Sequence, residues 1–166
     1  MKNKRIEVNE KYKGYEYLVY ATSMGHRCGY VKIPRKHYLH GRSYYEQLNI
    51  KFSEIAKQPT GKRNFITFLC NSNLKPEDNI SMDLLFDVHG GITFSGKGTS
   101  AEFNRKGWWI GFDCSHSEDK PDFELMDTEY KKFYKYFEAS HGEIRSKEYV
   151  EQECKNLIDQ IIKYFG

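Results

Sequence analysis

No run of about 18 apolar residues occurs anywhere in this chain, and the opening segment MKNKRIEVNEKYKGYEY lacks the apolar stretch of a secretory leader. Those two absences predict a protein with no membrane partner that stays in the cytoplasm. Cysteine is sparse and scattered: Cys28, Cys70, Cys114 and Cys154 include no C-x-x-C pair. That argues against a zinc ribbon or a dense disulfide framework and for reduced thiols. Charge of one sign is also missing, with 26 Lys and Arg set against 23 Asp and Glu for a net charge of +3. Such a balance supplies no basic stripe for duplex nucleic acid. Repeats, linkers, low-complexity tracts and tight metal motifs such as H-E-x-x-H are absent too, so no resident metal or other cofactor is expected.

A further absence decides the reading of DVHGGITFSGKG, residues 87–98. Gly91, Gly96 and Lys97 imitate a phosphate-binding loop, but Gly98 stands where that loop needs a Ser or Thr hydroxyl for magnesium. Ile92, Thr93 and Phe94 are strand formers, and no helical periodicity follows Lys97. Gly90-Gly91 therefore reads as a tight hairpin turn.

What the chain has in quantity is aromatic residues, 16% of its 166 positions, with 13 Tyr and 11 Phe. They favour strands and can stack on planar ligands. The length suits one domain over residues 1–166. Strands are expected over 15–22 and 28–33, a short one in NFITFLC, and others over 82–89, 92–94 and 108–113. A helix is expected over 43–57, started by Ser43, where Leu48, Phe52 and Ile55 recur at helical spacing. Residues 127–143 are ambiguous between strand and helix. The clearest element is an amphipathic helix from Ser146 to Phe165, carrying Val150, Cys154, Leu157, Ile158, Ile161 and Ile162 on one face. The expected fold class is α+β, an antiparallel or mixed sheet packed against this C-terminal helix and a second helix.

Three constellations could carry chemistry. Asp87 and His89 alternate with Phe86 and Val88, so if the strands over 82–89 and 108–113 are neighbours, Asp87, His89, Asp113 and His116 converge, with Asp119 nearby. Such a set can bind a polar ligand, hold a divalent metal or supply acid and base, although local structural roles would equally explain it. The stretch from Arg27 to His40 adds Lys32, Arg35, Lys36 and His37 beside Tyr30 and Tyr38, a lining for a phosphorylated aromatic ligand or a solvated basic loop. Cys28 and Cys114 each have a His two residues away, His26 and His116, but no oxyanion or orienting group accompanies either pair.

The segments GHRCGYVKIP, DVHGGITFSG, WWIGFDCSHSED and EYVEQECKNLIDQI together resemble a family of small proteins encoded by bacteriophages and prophages. The shared pattern is G-H-x-C-G-Y-V, H-G-G-[IL]-T-[YF], W-[IF]-G-F-D-C-x-H-x-x-D and a closing Y-V-x-x-E-C helix, spanning about Met24 to Ile161. Ser117 and Glu118 depart from the small pair usual before the Asp. The resemblance implies a bacterial cytoplasm during infection and an accessory role, one class of which binds or degrades nucleotide signals of host immunity. On that basis the chain is expected to sequester a small nucleotide-like molecule. Its polar edge would meet His89, Thr93, Asp113, His116 and Asp119, a base would stack on Trp108 or Trp109, and Arg27 or Arg35 would neutralise phosphate. The alternatives are a phosphodiester or glycosidic hydrolase using the Asp and His cluster, and a protein-binding inhibitor of a host enzyme. Homo-oligomerisation is left open.

Overall fold

The computed structural model describes residues 5–55, 61–62, 65–134 and 141–166. Five antiparallel strands form one sheet in the order β1-β2-β3-β5-β4: β1 Ile6–Tyr12, β2 Tyr15–Ala21, β3 Arg27–Ile33, β4 Phe94–Lys97 and β5 Trp108–Asp113. β3 pairs with β5 from Cys28 opposite Asp113 to Ile33 opposite Trp108. The sheet thus has two ends roughly 20 Å apart, six residue steps of about 3.3 Å along β3. Both candidate clusters lie at these ends.

Alternation sends neighbouring side chains to opposite faces. Tyr17, Val19, Val31, Ile33, Ile110 and Phe112 enter the main core, under the C-terminal helix α4, Lys147–Phe165. Leu18, Tyr20 and Trp109 face the other way and are covered by Phe103 from the loop between β4 and β5. On α4, Val150, Cys154, Leu157, Ile158 and Ile161 are fully buried, each of the larger aliphatics worth about 1.5 to 3 kcal/mol. Ser146 caps the helix, its Oγ accepting the Tyr149 N–H at 3.1 Å. Gly29 sets how closely α4 approaches the sheet, because a Cβ there would strike Phe112 and the Cys154 sulfur. The fold is α+β, with an antiparallel sheet and α4 packed on it.

Four expected elements differ. The strand expected over 92–94 is β4, Phe94–Lys97, paired with β5, and with no strand over 82–89 before it Gly90-Gly91 is a turn but not that of a hairpin. Over 43–55 the described residues make turns and one 3-10 turn, Phe52–Glu54, instead of a helix. Leu48 and Ile50 are buried with Asn49 and Lys51 exposed between and after them, and Leu48 and Ile50 exchange backbone hydrogen bonds with Ile80. That two-residue alternation outweighs the helical spacing of Leu48, Phe52 and Ile55; residues 56–60 lie outside the described ones. The expected strand in NFITFLC is the helix α1, Phe65–Cys70, a short apolar run whose period cannot separate the two. The strand expected over 82–89 is the single-turn helix α2, Met82–Leu85, followed by extended chain. Residues 128–134 form α3, Thr128–Tyr134, and the rest of the ambiguous stretch to 140 lies outside the described residues. A two-residue parallel pair, β6 Asp119–Lys120 with β7 Glu143–Ile144, ties the loop after β5 to the approach to α4.

Candidate functional site

Among the described residues the chain from 86 to 89 pairs with no strand, and α4 takes that place. Its polar residues at 149, 153, 156 and 160, spaced by one or two turns, read this segment's hydrogen-bonding groups one after another. Gln160 Oε1 accepts the Asp87 N–H at 2.8 Å, while Asn156 and Gln160 donate to the Asp87 carbonyl at 3.0 and 2.9 Å. Glu153, buried in the apolar face, accepts the His89 N–H at 2.9 Å and the Lys62 ammonium. The Tyr149 hydroxyl meets His89 Nδ1 at 3.0 Å. Phe86 and Val88 point into the core, so the alternation survives although the ladder is replaced by helix side chains. His89 is thereby fixed at the Asp113 end of the sheet.

Asp119 organises that end. Its side chain is fully buried. Oδ1 accepts Arg145 Nε at 2.8 Å; Oδ2 meets His89 Nε2 at 2.8 Å, the His116 N–H at 3.0 Å and His116 Nδ1 at 3.3 Å. Burial by itself would raise the Asp119 carboxyl, but Arg145, His89 and the His116 N–H outweigh it and hold it at about 2. The ionised Asp119 carboxylate can only accept, so His89 donates to it from Nε2, while the other ring nitrogen, Nδ1, pairs with the Tyr149 hydroxyl, whose pKa burial raises. In the same network His116 presents Nδ1–H to Asp119 and leaves Nε2 as the free nitrogen, 4.0 Å from Asp113 Oδ1. Asp113 in turn accepts Thr93 Oγ1 at 2.8 Å and Ser115 Oγ at 2.6 Å; burial opposes its ionisation, and these donors with His116 lower its pKa. Gly90, at φ +66°, gives the His116 ring its place, since a Cβ there would enter the ring.

Beside His116 opens a cleft of about 380 Å³. Its floor is polar, with His26, Ser115, His116 and Asp119, and its walls are Met24, Pro121, Met126, Tyr130, Phe133 and Tyr134. Met24, Tyr130 and Phe133 are exposed. Among the described residues no Lys or Arg lines it.

Of the residues expected together, His89, His116 and Asp119 share one hydrogen-bond network, and Thr93 bonds Asp113, whose carboxylate lies 4.0 Å from His116 Nε2 without a hydrogen bond. Asp87 does not join them: its carboxylate accepts the Lys62 N–H at 2.6 Å and lies against Gly61. Arg27 is no free phosphate ligand, because Glu7 grips it at 2.7 and 3.1 Å while Asp122 and the Arg145 carbonyl take both N–H groups of Nη1. Trp109 cannot stack on a ligand, being wholly buried against Phe103. Trp108, half-buried against the main core and His40, and Arg35 sit at the opposite end of the sheet. The stretch from Arg27 to His40 therefore does not act as one cluster. Burial pushes the Cys28 thiol up to about 12 and raises Cys114 as well, which removes the thiolate that a nucleophile requires.

His89, His116 and Asp119 offer three donor atoms within 4.8 Å of one another, the spacing of a metal triad. Arg145 against the same carboxylate and the His116 N–H on Oδ2 oppose a cation there, since both already answer its charge. Arg145, Tyr149, Glu153, Tyr130 and Phe133 were not singled out by sequence reasoning; the regular polar spacing 149, 153, 156, 160 beside the apolar stripe was the available signal for the helix residues.

Comparison of the chain with protein-family models, curated proteins and solved structures yields no match. Among the described residues no helix is long and apolar enough to cross a membrane.

Proposed function

We propose that this protein binds and sequesters a small nucleotide-derived signalling molecule in the His116 cleft, as a phage accessory protein acting against host immune signalling. The observation that carries binding is the cleft itself. It is concave, walled by aromatic and Met side chains, and floored by a few fixed polar groups, and its volume falls in the range of about 300 to 1,000 Å³ usual for small-molecule sites. Tyr130 or Phe133 takes the stacking role first expected of a Trp, and His116 with Ser115 reads a hydrogen-bonding edge. With no cation in the lining among the described residues, the cleft suits the base and sugar of a ligand better than its phosphates. The nucleotide class and the phage setting rest on the sequence resemblance and the aromatic content.

One contact favours a second reading. Asp119 holds His116 by Nδ1 and leaves Nε2 available, the arrangement of a general base, so a hydrolase at the same cleft would use His116 to take a proton from water. Ser115 gives its hydroxyl hydrogen to Asp113 and the buried Cys28 stays a thiol, so neither supplies a covalent nucleophile and such a hydrolase would rest on water alone.

The test is incubation with a panel of cyclic oligonucleotides and ADP-ribose derivatives, followed by thermal melting, heat denaturation and chromatography of what is released. Sequestration predicts a raised Tm, intact ligand in the supernatant and loss of both on Phe133→Ala. A cleavage product that His116→Ala fails to make transfers the cleft to the hydrolase reading. A stoichiometric metal lost on Asp119→Asn would make that hydrolase metal-dependent, and no Tm shift with any ligand would remove the sequestration reading.

A further inference from the structure

The end of the sheet opposite the His116 cleft holds a second concavity, also of about 380 Å³. It lies where the β1-β2 turn, the end of β3 and the start of β5 come together, so four paired strands fix its frame. Lys11 comes from β1, Lys32 from β3, Arg35 from just beyond Pro34, and Lys106 from the approach to β5. His40 joins them, and Glu16 is the only acid in the lining.

The cleft near Arg27 answers its cations with Glu7, Asp122 and Glu148. Here Lys32 alone is answered, by Glu16 at 2.8 Å. Among the described residues Lys11, Arg35 and Lys106 have no side-chain ion pair or hydrogen bond, so their N–H donors are available. Lys32 is held in place in three ways: Glu16 takes its ammonium, its stem crosses Gly107, and its Nζ lies 5.6 Å over the Trp109 ring. Gly107, at φ +114°, makes that crossing possible, because a Cβ there would press on the Lys32 chain at 2.6 Å. Like charges gathered in a concavity with low-dielectric walls focus their field on whatever enters it. Half-buried Tyr15 supplies a flat wall beside them.

We infer that this cleft is a separate anion site for a phosphate-bearing small molecule of diphosphate size, with Arg35, Lys106 and Lys11 as the direct contacts and Lys32 as the fixed charge behind them. The planar Arg35 guanidinium can bind two phosphate oxygens at once, and the two free ammonium groups reach a neighbouring phosphate from other directions. A single small ligand cannot touch both this site and His116, since the sheet separates them by roughly 20 Å. The anion site therefore goes beyond the sequestration reading and does not depend on it.

The experiment is calorimetric titration of the full chain with inorganic pyrophosphate at two salt concentrations, supported by amide chemical-shift mapping. Saturable binding is expected, weaker at higher salt, with shifts centred on residues 11–16, 32–36 and 106–108. The double variant Arg35→Ala/Lys106→Ala should weaken it at least tenfold. His116→Ala should leave it unchanged, and so should the control Lys97→Ala/Arg105→Ala, which removes surface charge nearby. Absence of saturation overturns the site; so does equal weakening by the control, which would mean diffuse surface charge. Pyrophosphate binding that persists when no nucleotide binds the His116 cleft would leave this site standing and the sequestration reading refuted.

Discussion

The Asp113 end of β5 and its Trp108 end belong to one six-residue strand, yet they handle charge in opposite ways. At the Asp113 end the charges are withdrawn from water and answered: the Asp119 side chain is fully buried, Arg145 is 17% exposed, and every polar atom of the carboxylate has a donor. At the Trp108 end the Lys32–Glu16 pair is 36% and 25% exposed, and three further cations face solvent unpaired. A buried network has fixed geometry and can orient a ring such as His116; an exposed cluster has a field but little geometry. The first arrangement suits recognition of a hydrogen-bonding edge, the second recognition of charge.

Breaking the buried network should cost most. Asp119→Asn removes the buried counter-charge of Arg145 and leaves it only the exposed Glu143, and a loss of about 3 kcal/mol in urea unfolding is expected. A loss below about 1 kcal/mol would mean that the network does not differ from a surface pair. Next comes Gly90→Ala, expected to destabilise by about 2 kcal/mol, because the left-handed backbone disfavours a Cβ and the His116 ring occupies its space. Its structural signature would be a displaced His116 ring resonance in NMR, and an unmoved ring would refute the packing argument.

Acid should separate the ends as well. Asp119 has its pKa lowered from the usual 3.8 to about 2. The stability it contributes is therefore complete above about pH 4 and is lost as pH falls through about 2, amounting to about 2 kcal/mol. Urea midpoints measured from pH 6 to pH 2 should fall steeply in the wild type and less steeply in Asp119→Asn. Parallel slopes would place the acid sensitivity elsewhere. The smallest effect is expected at the other end, where Glu16→Gln should change stability by less than about 1 kcal/mol and tighten pyrophosphate binding by removing the only acid in that cleft. Weaker binding would contradict the anion site.

How much of this was legible depends on how local the signal is. β2, β3 and β5 follow from apolar and aromatic runs between turn signals, and α4 from its stripe and the Ser146 cap. The strand expected over 82–89 was misread for a specific reason: Phe86 to His89 does alternate, but Asn156, Gln160, Glu153 and Tyr149 satisfy its backbone and ring in place of a strand. Similarly, the convergence of His89, His116 and Asp119 was anticipated, but by strand pairing; it arises from a helix face and a loop.

By itself the sequence determined the α+β class, the central strands, the C-terminal helix and the kinds of residue available for chemistry, because periodicity and capping act between neighbours along the chain. Only the tertiary structure decided which of those residues are free to act. Arg27 and Arg35 look alike in the sequence, but one is clamped by Glu7 and Asp122, brought to it from 20 and 95 positions away, and the other is exposed. Trp108 and Trp109 are adjacent, and the register of β5 alone sends Trp109 under Phe103. The orientation of His116 follows from a carboxylate whose low pKa depends on Arg145, a residue that the parallel pairing of β6 with β7 carries to it. Electrostatic environments are set by distance in space, and in this chain those distances are fixed by the packing of α4 and the loops on the sheet.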